Sequence, residues 1–409
     1  MKVLDSPLSS DEDFTLTSDS PPEFEITADV FQKMTGEDLQ STVDISRWKK
    51  GIEALCDYNK IEAEVAAAES TSAEVRRAIR EMIFPALREV KSNLKDAGVW
   101  KLSVEDIEQT QRDVLMNGLV EGCDGNVHLF NTMALQIVQI AVVGVSYRAQ
   151  EESWAHRVFK RDIRITPEAD IVEETLKLLK LRSPDEDNNK QRKITSMMTR
   201  GVMTYMERQI LATALRAPWR IGHGHPLPYE LLTGSGSHDL IRLSIPVLQS
   251  LLDHRKFIFV PSDTNELHYK TIGDALEPRE YAIIDDLSEY VGRLKRGGYR
   301  GEWRTVLEDG LERFMDDAAQ QIVVGAYRAS EFSPPQLFYS HRDFVHEAAR
   351  IVIADSSYLD HRGFPMLIEV ADNMCRTYFG AQSIERPALA AFGATDAPFR
   401  HLAERATRV

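Results

Sequence analysis

The sequence predicts an α/β protein built on a mixed sheet, a three-strand antiparallel meander followed by alternating helix and strand, with helical additions at both ends. Three observations predict it. The stretches "VLMNGLVEGCDGNV", "LQIVQIAVVGVSYRAQ" and "SWAHRVFKRDIRI" follow one another with short connections and carry β-branched or alternating apolar residues, the pattern of neighbouring antiparallel strands. Beyond them, apolar spacings of three and four alternate with the short strand-like runs "PWRIGHG" and "KFIFVPSD", and such alternation is the signature of an α/β layer. Hydrophobic residues make up 43% of the 409, enough for a sizeable core and too many for a disordered chain.

Taken in order, residues 1–28 are rich in Ser, Asp, Glu and Pro and read as a disordered acidic tail. Residues 29–112 read as helical, through "SRWKKGIEALCDYNKIEAEVAAAES" and "TSAEVRRAIREMIFPALREVKSNLKDAG". Thr71 or Ser72 is placed to cap the second helix, with Glu74 in its first turn, and Pro85 to kink it. Residues 113–275 hold the meander, helices near 168–182 and 188–215, the strand "PWRIGHG", the helix "SHDLIRLSIPVLQSLLDH" and the strand "KFIFVPSD". A meander followed by this alternation is of the ribonuclease H-like kind. Residues 276–409 read as mostly helical, except for a strand in "QQIVVGAYRAS" and a loop around "SPPQ", and end in a helix through "FPMLIEVADNMCRTYFG".

Charge and cysteine usage narrow the function classes. The formal net charge is −15; residues 1–29 hold eight acids and one lysine, which leaves −8 for the rest. That is not a basic nucleic-acid module, so a nucleic-acid role calls for a local basic channel or a partner that supplies the grip. Cys56, Cys123 and Cys375 are few, odd in number and far apart, which argues against a disulfide framework and for a reducing compartment. No apolar run approaches the ~18 residues of a membrane span, and "MKVLDSPLSSDEDF" shows no leader pattern. The expectation is a cytoplasmic protein.

Four positions stand out for chemistry. Asp124 ends the first strand of the meander beside Gly125, where a carboxylate next to an open backbone suits a metal; Asp-Gly is equally a turn signal. Glu207 flanks an apolar stripe of Val202, Met206, Ile210 and Ala214, where the ordinary reading is a solvated glutamate. His223 and His225 close the strand "PWRIGHG" before Pro226 and Pro228. Residues i and i+2 of a strand share a face, so both imidazoles could meet one metal; the plainer readings are a bonded core histidine or a loop. The carboxyl end of a strand is also where open α/β sheets bind ligands, and Ser262 and Asp263 could line the same edge. Asp372 sits with Phe364 and Ile368 on a half-apolar helix face, and an acid there is by default a surface group. "TGSGSHD" is neither a phosphate loop nor a nucleophile elbow, and no Walker A motif occurs.

Taken together, these stretches resemble the NurA nuclease family, patchily, over about residues 117–385. The family's first strand carries Asp-Gly-Ser; "CDGNV" supplies Asp124 and Gly125, with Asn126 in the serine place. Its middle helix carries Glu in a Tyr-x-Glu pattern; "TYMERQIL" supplies Glu207. A second Asp-Gly-Ser-Leu closes a later strand; "IGHGHP" puts His223 in the aspartate place. Gly-Tyr-Pro and a following Ala-His match "GFPMLIEVAD", with Phe364 for the tyrosine and Asp372 for the histidine. Carboxylate and imidazole are exchanged between two positions, an arrangement open to a working site or to drift in a dead one.

The resemblance implies a ribonuclease H-like core, Mn²⁺-dependent (or Mg²⁺-dependent) DNA cleavage in end processing, repair or phage defence, a HerA-like hexameric ring ATPase as partner, and a homodimer. It implies Asp124 and Glu207 as metal ligands, His223 and Asp372 completing the set or orienting water, and His225 as an outer partner of the ligands. Oxygen donors with one imidazole suit Mn²⁺. The competing expectation is a catalytically degenerate scaffold that docks on such an ATPase without cutting DNA.

Overall fold

The computed structural model describes residues 27–48, 58–132, 135–148, 153–162, 194–262, 266–299, 305 and 310–395. The acidic tail up to residue 26, Cys56 and the helix expected near 168–182 lie outside them. The chain divides into two compact units, Met1–Ser72 and Ala73–Val409.

In the first unit, α1 (Ala28–Thr35) is capped by the Thr27 hydroxyl, which accepts from Val30 N–H at 3.3 Å, and closes on Gly36 at φ 76°, a left-handed C-cap that glycine tolerates. Helix α2 (Leu39–Val43) starts on Asp38, whose carboxylate accepts from Ser41 N–H at 3.2 Å. The division falls within α3 (Tyr58–Ala78). Thr71 and Ser72 therefore sit inside a helix and cap nothing; Thr71 donates back to Ala67 O at 3.2 Å.

In the second unit, Pro85 occupies the first turn of α4 (Phe84–Val90), directly after a π-helical turn, Ile79–Ile83. Proline and π-helical turns are both places where a helix changes course, so the expected break in the helix near Pro85 appears as a change from π to α geometry. Helix α5 (Val104–Thr110) begins with a full capping box: Ser103 and Asp106 each bond the other's backbone N–H.

Among the described residues nine strands form one mixed sheet, in the order β1-β7-β8-β9-β6-β5-β2-β3-β4. The expected meander is β2 (Val120–Asn131), β3 (Leu135–Val145) and β4 (Ser153–Asp162), antiparallel from Gly122↔Val145 and Gly144↔Ser153. β2 starts later than "VLMNGLV" suggested, because Gln111–Leu115 continues α5 as a π turn. β5 (Trp219–His223) runs parallel to β2, and β6 (Phe257–Val260) parallel to β5. Helix α6 (Val202–Thr213) precedes β5, and α7 (Tyr229–Leu232) and α8 (His238–His254) connect β5 to β6.

Three strands were not expected. β1 (Gly98–Lys101) lies in the stretch read as helical, and β7 (Glu280–Asp286) and β9 (Gln336–His341) flank the expected β8 (Ile322–Tyr327) in the region read as mostly helical. β7 and β8 are buried along their whole length, so β7 shows no alternation to betray it. Helices α9 (Leu267–Asp274), α10 (Ser288–Gly298), α11 (Glu312–Gln321), α12 (Val345–Ser356), α13 (Met366–Phe379) and α14 (Ala381–Ala394) complete the unit.

The sheet is covered on both faces. Phe257 and Phe259 of β6 join Leu211, Leu248 and Met315 in one apolar cluster, while Ile258 and Val260 join Val352, Leu367 and Cys375 in the other. The period of two in a strand sends alternate residues into opposite layers. At β2, α6 and α13 cover the two faces. No described helix is long and apolar enough to cross a membrane.

Candidate functional site

The parallel pairing of β2 with β5 runs to Cys123↔Gly222, so the next residues, Asp124 and His223, emerge side by side at the carboxyl end of β5. Asp124 is only 4% exposed. Its Oδ1 accepts from Gly125 N–H at 2.9 Å and lies 3.1 Å from His223 Nδ1. His223 Nε2 lies 2.7 Å from Ser262 Oγ. Ser262 is exposed, two residues past the end of β6. Phe364 packs edge-on against the His223 ring with centroids 5.9 Å apart. Burial lowers the His223 pKa, but the hydrogen bond and charge of Asp124, with the charge of Glu207, outweigh it and leave the value raised.

Glu207 is not a solvated flank residue. The buried face of α6 consists of Thr204, Glu207, Arg208, Ile210 and Leu211, with Leu215 beyond its end, rotated from the stripe the apolar residues alone suggested. A Cβ on Gly125 would stand 2.7 Å from Glu207 Oε1, so glycine is what lets this carboxylate reach the strand. Burial, with Asp124 adding to it, raises the Glu207 carboxyl to about 7 against the pull of Arg208.

Arg208 is the residue that sequence reasoning missed. It is 1% exposed. Nη1 lies 3.2 Å from Glu207 Oε2, and Nη2 donates to the carbonyls of His223 at 3.1 Å and His225 at 2.8 Å. The guanidinium stacks 4.5 Å from the Phe259 ring centre. Thr204 and Leu211, one turn to either side of Arg208, share its buried face, but the apolar stripe of the sequence ran elsewhere on the helix and gave no sign of it.

His225 does not share a face with His223. β5 ends at His223, and Gly224 at φ 84° turns the backbone, so the strand rule lapses there. His225 accepts from Leu227 N–H at 3.0 Å and lies between Tyr290 and Tyr339, with centroids 4.3 and 4.7 Å away. Burial drives its pKa down to about 3; it is a neutral packing residue.

Asp372 lies on α13 and is half-buried, its carboxylate accepting from Arg376 Nε at 2.9 Å. Burial, then the charge of Asp124, raises its pKa, which places it within the field of the same site. Cys375, one turn on, is free and buried, its Sγ 3.5 Å from Asp124 O. Asp263 falls outside the described residues.

The structure thus brings Asp124, Glu207 and His223 together, with Asp372 at the margin tied to Arg376. Among the described residues no three His, Cys, Asp or Glu side chains are arranged to hold one metal ion.

Fold and site define a mixed α/β protein with a buried carboxylate–imidazole centre at the carboxyl end of its parallel strands. No protein-family model and no curated protein matches the chain. Among solved structures it is similar to the NurA nuclease from Sulfolobus solfataricus, at 8% identity and a TM-score of 0.40 over 76% of this chain and 97% of that one. It is also similar to NurA with manganese, at 8% identity and a TM-score of 0.37 over 71% and 96%. NurA bound to dAMP and manganese matches at 8% identity and a TM-score of 0.36 over 72% and 92%.

Proposed function

We propose that the chain is a DNA nuclease of the NurA type, hydrolysing phosphodiesters at the Asp124 pocket on a ribonuclease H-like core. The observation that carries it is the side-by-side emergence of Asp124 and His223, 3.1 Å apart, with the Glu207 carboxylate drawn in against Gly125. The strand order β4-β3-β2-β5-β6, a meander followed by two parallel strands, supports the ribonuclease H-like reading. The resemblance supplies DNA as substrate, a HerA-like ring ATPase as the partner that grips it despite a −15 chain, a homodimer and a cytoplasmic setting.

A divalent ion would polarise the phosphate and activate water. The donors suit Mn²⁺ or Mg²⁺ in kind, through the oxygens of Asp124 and Glu207. They do not fit one ion in place. Both His223 ring nitrogens are engaged, Glu207 faces Arg208, and Asp372 faces Arg376. What the chain's own groups do is clear: Asp124 orients His223, and Gly125 admits Glu207.

The same ion pairs favour a second reading, the degenerate scaffold docked on a ring ATPase. Arg208 and Arg376 already compensate two of the three carboxylates that an ion would otherwise neutralise. The test is degradation of linear single- and double-stranded DNA with Mn²⁺, Mg²⁺ or EDTA, for wild type and Asp124→Ala, with and without a cognate ring ATPase. Metal-dependent cleavage lost in the variant is the expected result. No cleavage by folded wild type under any condition overturns the nuclease and leaves the scaffold.

A further inference from the structure

The misfit to a metal has a positive side. The 3.1 Å contact between His223 Nδ1 and an oxygen of Asp124 suits the tautomer that carries its proton on Nδ1. In the neutral imidazole Nε2 is then bare, and the 2.7 Å contact is a hydrogen bond donated by the Ser262 hydroxyl. From solvent inward the order is an exposed hydroxyl, a half-exposed imidazole and a buried carboxylate. That is the order of nucleophile, general base and orienting acid. The acid is further fixed by Gly125 N–H, and the edge of Phe364 holds the ring.

We propose that Ser262, His223 and Asp124 form a serine-nucleophile relay that hydrolyses esters without a metal. The charge around it selects the substrate class. Glu207 and Asp372 flank the relay, and the guanidiniums nearest them, Arg208 and Arg376, are committed to those carboxylates. Neither guanidinium is left to bind a phosphodiester anion, whereas a neutral carboxylic ester needs no cation. Ser262 Oγ attacks the ester carbonyl and its proton passes to His223 Nε2. The C–O bond to the alcohol breaks, and the alcohol leaves with that proton. Water, deprotonated by Nε2, then cleaves the acyl-serine, releasing the carboxylic acid and restoring the hydroxyl. The relay needs neither DNA nor an ion, so it stands apart from the nuclease reading.

The experiment uses the full chain in EDTA with a fluorophosphonate probe and p-nitrophenyl butyrate. Mass spectrometry is expected to find one adduct, on Ser262. Ser262→Ala, an exposed site whose loss leaves the core intact, is expected to abolish labelling and lower ester hydrolysis by at least about a hundredfold, the scale of a positioned base and its nucleophile. His223→Gln is expected to slow labelling similarly, with circular dichroism reporting its fold. Should it misfold, Ser262→Cys keeps the test open: its thiol is expected to alkylate with iodoacetamide faster than Cys56, Cys123 and Cys375. No adduct, an adduct elsewhere, or labelling that survives Ser262→Ala overturns the relay. The two readings fail separately, since EDTA removes metal-dependent DNA cleavage and leaves the relay in place.

Discussion

Replacing Arg208 with methionine, which keeps the volume and removes the charge, exposes what holds this site together. The guanidinium is the near partner of Glu207 at 3.2 Å and the donor to two carbonyls of the segment carrying His223 and His225. With both residues 5% exposed or less, breaking one side of a buried pair costs about 3–5 kcal/mol. Each orphaned carbonyl adds on the order of 1 kcal/mol, not all of it additive. We expect a loss of about 4 kcal/mol, seen as a melting temperature lower by roughly 8 °C at ~2 °C per kcal/mol for a unit of this size. The loss has a pH signature. Burial already raises the Glu207 carboxyl to about 7, and without Arg208 it rises further, so the folded variant holds a proton that the unfolded chain releases, and the loss is smaller at pH 5 than at pH 8. Urea unfolding at both pH values, on Arg208→Met, Glu207→Gln and the double variant, measures this. The double variant, with no buried charge left unpaired, is expected to recover 1–3 kcal/mol as coupling. A loss under about 1 kcal/mol in Arg208→Met, or no recovery in the double variant, would refute the account of Arg208 as the charge that Glu207 requires.

Two further outcomes follow from the packing. Gly222→Ala places a Cβ 2.4 Å from Phe259 Cε1 and 2.7 Å from Leu211 Cδ1, so chemical denaturation is expected to show about 1–3 kcal/mol of destabilisation from overpacking; an unchanged midpoint would contradict it. Asp355 is buried, accepts from Tyr147 Oη at 2.5 Å and from Leu367 N–H at 3.1 Å, and burial lifts its carboxyl from the ordinary 3.8 to about 6 against those bonds. A raised folded value means the native state holds the proton more tightly, so this group's contribution is greatest below pH 4, falls between pH 4 and 6, and is flat above. The fall is about 3 kcal/mol at 1.36 kcal/mol per unit. Asp355→Asn should lack that slope; parallel stability curves for the two proteins from pH 4 to 7 would exclude it.

The parts of the fold that the sequence determined by itself are those written in local periods. The meander of β2, β3 and β4 and the helix–strand alternation through β5 and β6 stand where alternation and apolar runs put them. Locally Asp124 read equally as a turn or a ligand and Glu207 as a solvated flank residue; their burial at 4% and 5% exposure came from the fold. The tertiary structure decided the rest, for one physical reason: it depends on neighbours distant in sequence. β1 is four residues long and forms only by pairing with β7, Gly98↔Ile283, so no local signal marks it. β7 is buried on both faces, and its acids Glu280, Asp285 and Asp286 are accommodated there by Arg80, Lys91 and Asn93, some two hundred residues earlier in the chain. Arg208 enters an apolar face because Glu207 and two carbonyls fifteen and seventeen residues on receive it. His225 leaves the strand because Gly224 turns. Ser262 meets His223 across thirty-nine residues, since adjacent parallel strands bring their carboxyl ends to one edge whatever the length of chain between them.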